Sequence, residues 1–168
     1  MAILPILRFP DPRLRRVAIP IAAITDETRT LANDMLETMY AAPGRGLAGP
    51  QVGVMLRLFV IDVTWKEGTR SPRVFLNPEI IEASEVEWTG IEGCLSIPGV
   101  PASVARPAEV TLRWSDLDGL HRTERLSGAE AICAQHELDH LNGRLIIDLM
   151  DEDARAAAAT TLREMALA

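Results

Sequence analysis

Apolar residues at Leu31, Met35 and Met39, flanked by Leu36 and Tyr40, recur at the three-and-four spacing of one buried helical face. Thr25 followed by Asp26 and Glu27 supplies a helix start and Pro43 an end, so a helix is expected between them. The stretch Pro43-Gly44-Arg45-Gly46-Leu47-Ala48-Gly49-Pro50-Gln51 carries three glycines and two prolines in nine residues. That composition suits neither a helix nor a strand interior and predicts a loop. Beyond it, β-branched and aromatic residues predict strands at Leu56 to Val63, Val74 to Leu76, Ile80 to Ile81 and Val86 to Trp88, the last leading toward Cys94. Val110 to Trp114 alternates, Asp118-Gly119 signals a hairpin turn, and His121 to Leu126 returns as the partner strand. Ser127 with Glu130 three residues later reads as a capping box opening a second helix. Ala129, Ile132, Cys133, His136 and His140 share adjoining positions on that helix, and Gly143 closes it as a left-handed residue. An Ala-rich tail introduced by Asp151-Glu152-Asp153 predicts a terminal helix. The order indicates a single α+β domain over residues 1–168, with antiparallel β-sheets packed around a central helix and with N-terminal and C-terminal helices added.

Composition narrows the function classes. The 168 residues suffice for one core, and a net charge of −7 without clustered basic residues argues against general polyanion binding, DNA included. The N-terminal segment, broken by Pro5, Pro10 and Pro12, does not read as a signal peptide. No apolar run approaches the ~18 residues of a membrane span, so a cytoplasmic protein with reduced cysteines at Cys94 and Cys133 is expected.

The chemistry lies in Gln135-His136-Glu137-Leu138-Asp139-His140. A His-Glu-x-x-His box puts two imidazoles on one helical face, able to share a metal ion, with a carboxylate base beside them. An open catalytic site needs a third protein ligand. The metzincin extension would place a histidine at position 146, which is Ile146 here. Glu152 suits a helix N-terminus, Glu164 lies close to the chain end, and His121 is most simply an exposed strand residue. Cys133 sits about 10 Å along the helix axis from His140. Cys94, beside the small Gly93, is left as the third ligand, and its thiolate suits a soft divalent ion such as Fe²⁺, Zn²⁺, Ni²⁺ or Co²⁺.

Gly44-Arg45-Gly46-Leu47-Ala48-Gly49-Pro50-Gln51, Glu92-Gly93-Cys94-Leu95-Ser96 and Gln135-His136-Glu137-Leu138-Asp139-His140 together resemble the three ordered motifs of the peptide deformylase family. The resemblance implies hydrolysis of the N-formyl group from the formyl-methionine of new polypeptides, releasing formate. It implies one divalent ion per chain on Cys94, His136 and His140, with Fe²⁺ in the cell and Zn²⁺, Ni²⁺ or Co²⁺ possible in preparations. It assigns Glu137 as general base and Gln51 with the Leu95 N–H as oxyanion donors. Arg45, Gly46, Gly93, Ile132 and Cys133 would contact the substrate, Gly46 by strand-like backbone pairing.

Against the family pattern, Gly49 stands where a second alanine is usual and is expected to loosen the loop holding Gln51. Arg45 replaces an aliphatic residue, Pro101 an arginine near the bound peptide, and Ala105 a proline before Arg106. Residues 151–168 set Asp151, Glu152, Asp153 and Glu164 against Arg155 and Arg163, so any ribosome contact is expected to be transient. The alternative readings are a paralogue acting on another small N-acyl group and a metal-bound binding module without turnover.

Overall fold

The computed structural model describes residues 2–168. Its elements run α1 (Asp26–Ala41), β1 (Gly46–Ala48), β2 (Leu58–Ile61), β3 (Arg73–Ala83), β4 (Glu87–Cys94), β5 (Ile97–Pro107), β6 (Glu109–Ser115), β7 (His121–Ser127), α2 (Gly128–Leu141) and α3 (Glu152–Leu167). A five-stranded sheet in the order β1-β2-β3-β6-β7 and a two-stranded sheet of β4 and β5 are both antiparallel. The expected α+β architecture is therefore present, with α2 at its centre.

Around β2 both faces of the larger sheet are covered. Leu58 and Val60 of β2 pack with Met35 and Met39 of α1. Phe59 and Ile61, pointing to the other side, join Phe75, Trp114, Leu126 and the α2 residues Ala131, Ala134 and Leu141. A third cluster holds Cys94, Ile97, Val100, Ala102 and Val104 of the smaller sheet against Leu145, Ile146 and Ile147, with Leu162 and Met165 of α3 alongside.

Several elements differ from the sequence expectation. Gly46–Ala48 is a strand, pairing with Phe59 to Ile61 at the sheet's edge. Its neighbours explain why glycine serves there: a Cβ on Gly46 would overlap the Glu137 carboxylate and come within 2.8 Å of Cys133 Sγ. The segments around Val74 and Ile80 form one strand, continued through a bulge at which Asn77 takes a left-handed φ of 51° and the register against β6 shifts. Its side chain bonds both the N–H and the C=O of Ile21, at 2.8 and 2.9 Å. β5 has no counterpart in the expected elements. Its prolines, Pro98, Pro101 and Pro107, argue against a central strand, but β5 pairs only with β4, and an edge tolerates missing donors.

The second helix begins where expected but without its capping box. Ser127 makes no side-chain cap bond, and Glu130 instead pairs with Arg73 at 3.1 Å. Its end matches the expectation: Gly143 has φ of 71°, its N–H bonds His140 O at 3.2 Å, and Arg144 N–H bonds Asp139 O at 2.9 Å, a Schellman closure. A Cβ on Gly143 would lie 2.5 Å from Arg15 O. Gly143→Ala is thus expected to lower stability by at least about 1–2 kcal/mol, from the left-handed backbone alone. A urea midpoint unchanged from the parent would contradict this.

Candidate metal centre

α2 and the β4–β5 hairpin meet at Cys94, His136 and His140, whose ligating atoms all lie within 4.8 Å of one another. The two histidines share a face of α2 by their four-residue spacing. Cys94 reaches them as the last residue of β4, with Leu95 and Ser96 forming the turn into β5. Its Sγ lies 3.3 Å from His140 Nε2. All three residues are buried.

A buried ionic network orients this group. His136 Nδ1 lies 2.9 Å from Glu92 Oε2, which leaves Nε2 to face Cys94 and His140. Arg106 in turn donates to both Glu92 oxygens at 2.6 and 3.0 Å and to Asp139 at 2.8 Å. Burial alone would raise the Glu92 carboxyl, but its bonds to His136 and Arg106 hold it at about 2. Glu92 is therefore a fixed anion behind the ligand.

Those surroundings call for a cation. Burial would lower the His136 pKa, yet the Cys94 and Glu92 contacts and the Glu137 charge carry it up to about 10. Burial and the His136 and Arg106 charges push His140 well below its usual value. Among the described residues, Glu137 Oε2 and His140 Nδ1 are buried side-chain atoms without a partner in the chain. A thiolate, two imidazoles and an uncommitted carboxylate oxygen fit a divalent ion with a water beside it.

Glu137 lies on α2 one residue past His136, and burial pushes its carboxyl up to about 7. Gln51 is buried in the 3₁₀ turn after β1, and its amide orientation is fixed by chemistry. Oε1 accepts the Ala48 N–H at 2.9 Å, so Nε2 must point the other way, toward Ser96 Oγ at 3.2 Å and Cys94 Sγ at 3.7 Å. Gly49 does not loosen this turn. A Cβ there would lie 2.8 Å from both Leu56 O and Val54 O, and Gly49 O accepts the Val54 N–H at 3.0 Å. Glycine is the residue that lets the chain close tightly around Gln51.

A cleft of about 1210 Å³ opens onto the centre. Arg45, Gly46, Gln51, Gly93, Leu95, Ile132 and Cys133 line it together with Cys94, His136 and Glu137. Leu95 rests on Gly44, where a Cβ would meet its Cδ1 at 2.7 Å. Arg45 turns its guanidinium to Glu67 at 2.6 Å, so its charge is partnered at the rim. Cys133 stays a thiol, because burial and then the Glu137 charge raise its pKa well above the usual value. Pro101 is exposed on the cleft wall, and Ala105 points outward beside the buried Arg106. Sequence reasoning passed over Glu92, Ser96, Arg106 and Asp139 as partners. For three of them the available signal was a place in the motifs: Glu92 and Ser96 flank Cys94, and Asp139 lies inside the His-Glu-x-x-His box, whereas Arg106 lies outside all three.

The polypeptide deformylase family model matches residues 3–156. The peptide deformylase of Afipia carboxidovorans is 53% identical over 152 residues, covering 90% of this chain and 89% of its own. Among solved structures, the peptide deformylase from Legionella pneumophila matches with a TM-score of 0.90 at 42% identity, covering 97% of this chain and 95% of its own. That from Plasmodium falciparum matches with a TM-score of 0.91 at 35% identity, over 95% and 94% of the two chains. No helix among the described residues is long and apolar enough to cross a membrane.

Proposed function

This chain belongs to the peptide deformylase family, and we propose that it removes the formyl group from the formyl-methionine of new polypeptides by water attack assisted by Glu137. The observation that carries this reading is the buried, unpartnered Glu137 Oε2 beside the Cys94, His136 and His140 group. Those three residues would hold one divalent ion; the donor set suits Fe²⁺, Zn²⁺, Ni²⁺ or Co²⁺ alike, and the family's habit favours Fe²⁺ in the cell. When bound, the ion supplies Lewis acidity that brings the pKa of a water toward neutrality.

The chain's own groups do the rest. Glu137 accepts the proton of the attacking water and hands it to the departing amine, a double role suited to a carboxyl lifted from its usual range by burial. As the formyl oxygen gains charge, the Gln51 Nε2–H and the Leu95 N–H donate to it. Gln51 is ready before the substrate arrives, since Ala48 and Ser96 fix its amide. The Gly46 backbone and Gly93, with no side chains in the way, are suited to pairing with the extended peptide, while Ile132 and Cys133 border the methionine side chain. Arg45, held by Glu67, would meet residues farther along the peptide. Acting on new polypeptides that begin with formyl-methionine, the protein would work in the cytoplasm. Contact with the ribosome would be brief, because Asp151 caps α3, Glu152 and Asp153 open it, and its basic residues are Arg155 and Arg163.

Gln51→Ala should lower kcat on formyl-Met-Ala-Ser by about 10²–10³, the usual loss for one oxyanion donor. Formate release is the readout, and a kcat within a factor of three of the parent would remove Gln51 from the proposed role. Comparing formyl-Met-Ala-Ser with acetyl-Met-Ala-Ser tests the substrate class. Equal rates on the two would favour the paralogue with a broader N-acyl preference.

A further inference from the structure

Gly90 of β4 has an aromatic ring where its side chain would be: a Cβ built there would fall within the indole of Trp88, overlapping Cζ2 and Cη2. Trp88, Gly90 and Glu92 alternate onto one face of β4. Glu92 on that face holds the His136 imidazole, so the face looks onto the metal centre. Across the cleft, α2 presents Gly128, Ala129 and Ile132 ahead of Cys133 and His136. Two of those five are too small to form a wall. The indole, 37% exposed, lines the same cleft from β4 and is the largest apolar side chain that this strand brings to it, with Ile91 on the strand's other face.

We infer that Trp88, seated on Gly90, is a specificity-determining residue that walls the pocket for the first side chain of the substrate. This rests on the proposed deformylase chemistry, since the side chain next to the scissile formamide must lie between β4 and α2 when the formyl carbon is beside Glu137. An unbranched thioether fits such a slot, and sulfur gains from contact with an aromatic ring. Gly90 is the enabling residue: any side chain there displaces the ring.

The test compares kcat/KM for formyl-Met-Ala-Ser and formyl-Phe-Ala-Ser in the metal-loaded parent, Trp88→Ala, Gly90→Ala and the double variant, with metal content and far-UV spectra measured on each. If Trp88 is the wall, Trp88→Ala shifts the Met-to-Phe preference toward Phe by about 10-fold or more, within the range a reshaped apolar pocket commands. Gly90→Ala changes the preference in the parent but has little effect in the Trp88→Ala background, because the clash it creates is with the indole. An unchanged preference in Trp88→Ala, or equal effects of Gly90→Ala in both backgrounds, overturns the assignment. A parent that releases no formate from either peptide would instead count against the deformylase reading itself.

Discussion

Replacing Glu137 with glutamine is expected to lower formate release from formyl-Met-Ala-Ser by roughly 10²–10⁴-fold, the contribution of a positioned acid–base group. Metal content should stay at the parent level, because Cys94, His136 and His140 are untouched and Glu137 is outside that group. The two side chains have nearly the same shape, so the close approach of Gly46 to residue 137 is preserved and the fold should not suffer. An amide cannot accept the water's proton, so the substitution removes the base while leaving the packing in place. Steady-state kinetics on protein of known metal content decides the matter. Turnover close to the parent's would show that proton transfer is carried elsewhere.

Arg106→Ala is expected to be the most destabilising single change near the site, by about 3–5 kcal/mol in denaturant unfolding. Arg106 and Glu92 are 6% and 7% exposed, and removing the guanidinium leaves the Glu92 carboxylate buried with His136 as its remaining side-chain partner. Asp139 loses its closer partner as well, keeping Arg144 at 3.9 Å, and it is nearer to solvent. The second consequence concerns the metal. With Glu92 no longer held, the His136 ring loses its fixed tautomer and direction, and metal affinity should fall by about 10–100-fold. Measuring both quantities on one variant separates the effects: a midpoint within experimental error of the parent would contradict the first, and undiminished metal affinity the second.

How much of this could be read from the chain depends on whether the signal is local. The His136, Glu137 and His140 arrangement is set by helical spacing within one element, and α1 and the β6–β7 hairpin follow from periodicity and turn residues equally close in sequence. Cys94 could be reached by excluding the other candidate ligands, and the structure places it where that argument puts it. The strands that escaped notice were those whose composition opposes them. β1 is built around a glycine because α2 passes so close, and β5 tolerates prolines because it lies at an edge. Both causes are tertiary. The Glu92–Arg106–Asp139 network joins residues far apart in sequence: Glu92 and Asp139 stand inside motifs, but no local pattern pairs them with Arg106. The same applies to Glu130, which an arginine of β3 draws away from the helix cap it was expected to complete. Gly49 shows the converse: a residue that in isolation suggests looseness is demanded by two carbonyl oxygens that a Cβ would approach to 2.8 Å, inside van der Waals contact.

The central claim is that one metal ion on Cys94, His136 and His140 and the neighbouring Glu137 together hydrolyse a formamide. It is tested most directly by formate release from formyl-Met-Ala-Ser, using protein prepared without oxygen and titrated with Fe²⁺ while bound metal is quantified. Activity should rise in proportion to bound metal and level off at one ion per chain, and Cys94→Ala should retain neither metal nor activity. Undiminished formate release from metal-free protein, or none from the fully loaded parent, would contradict it.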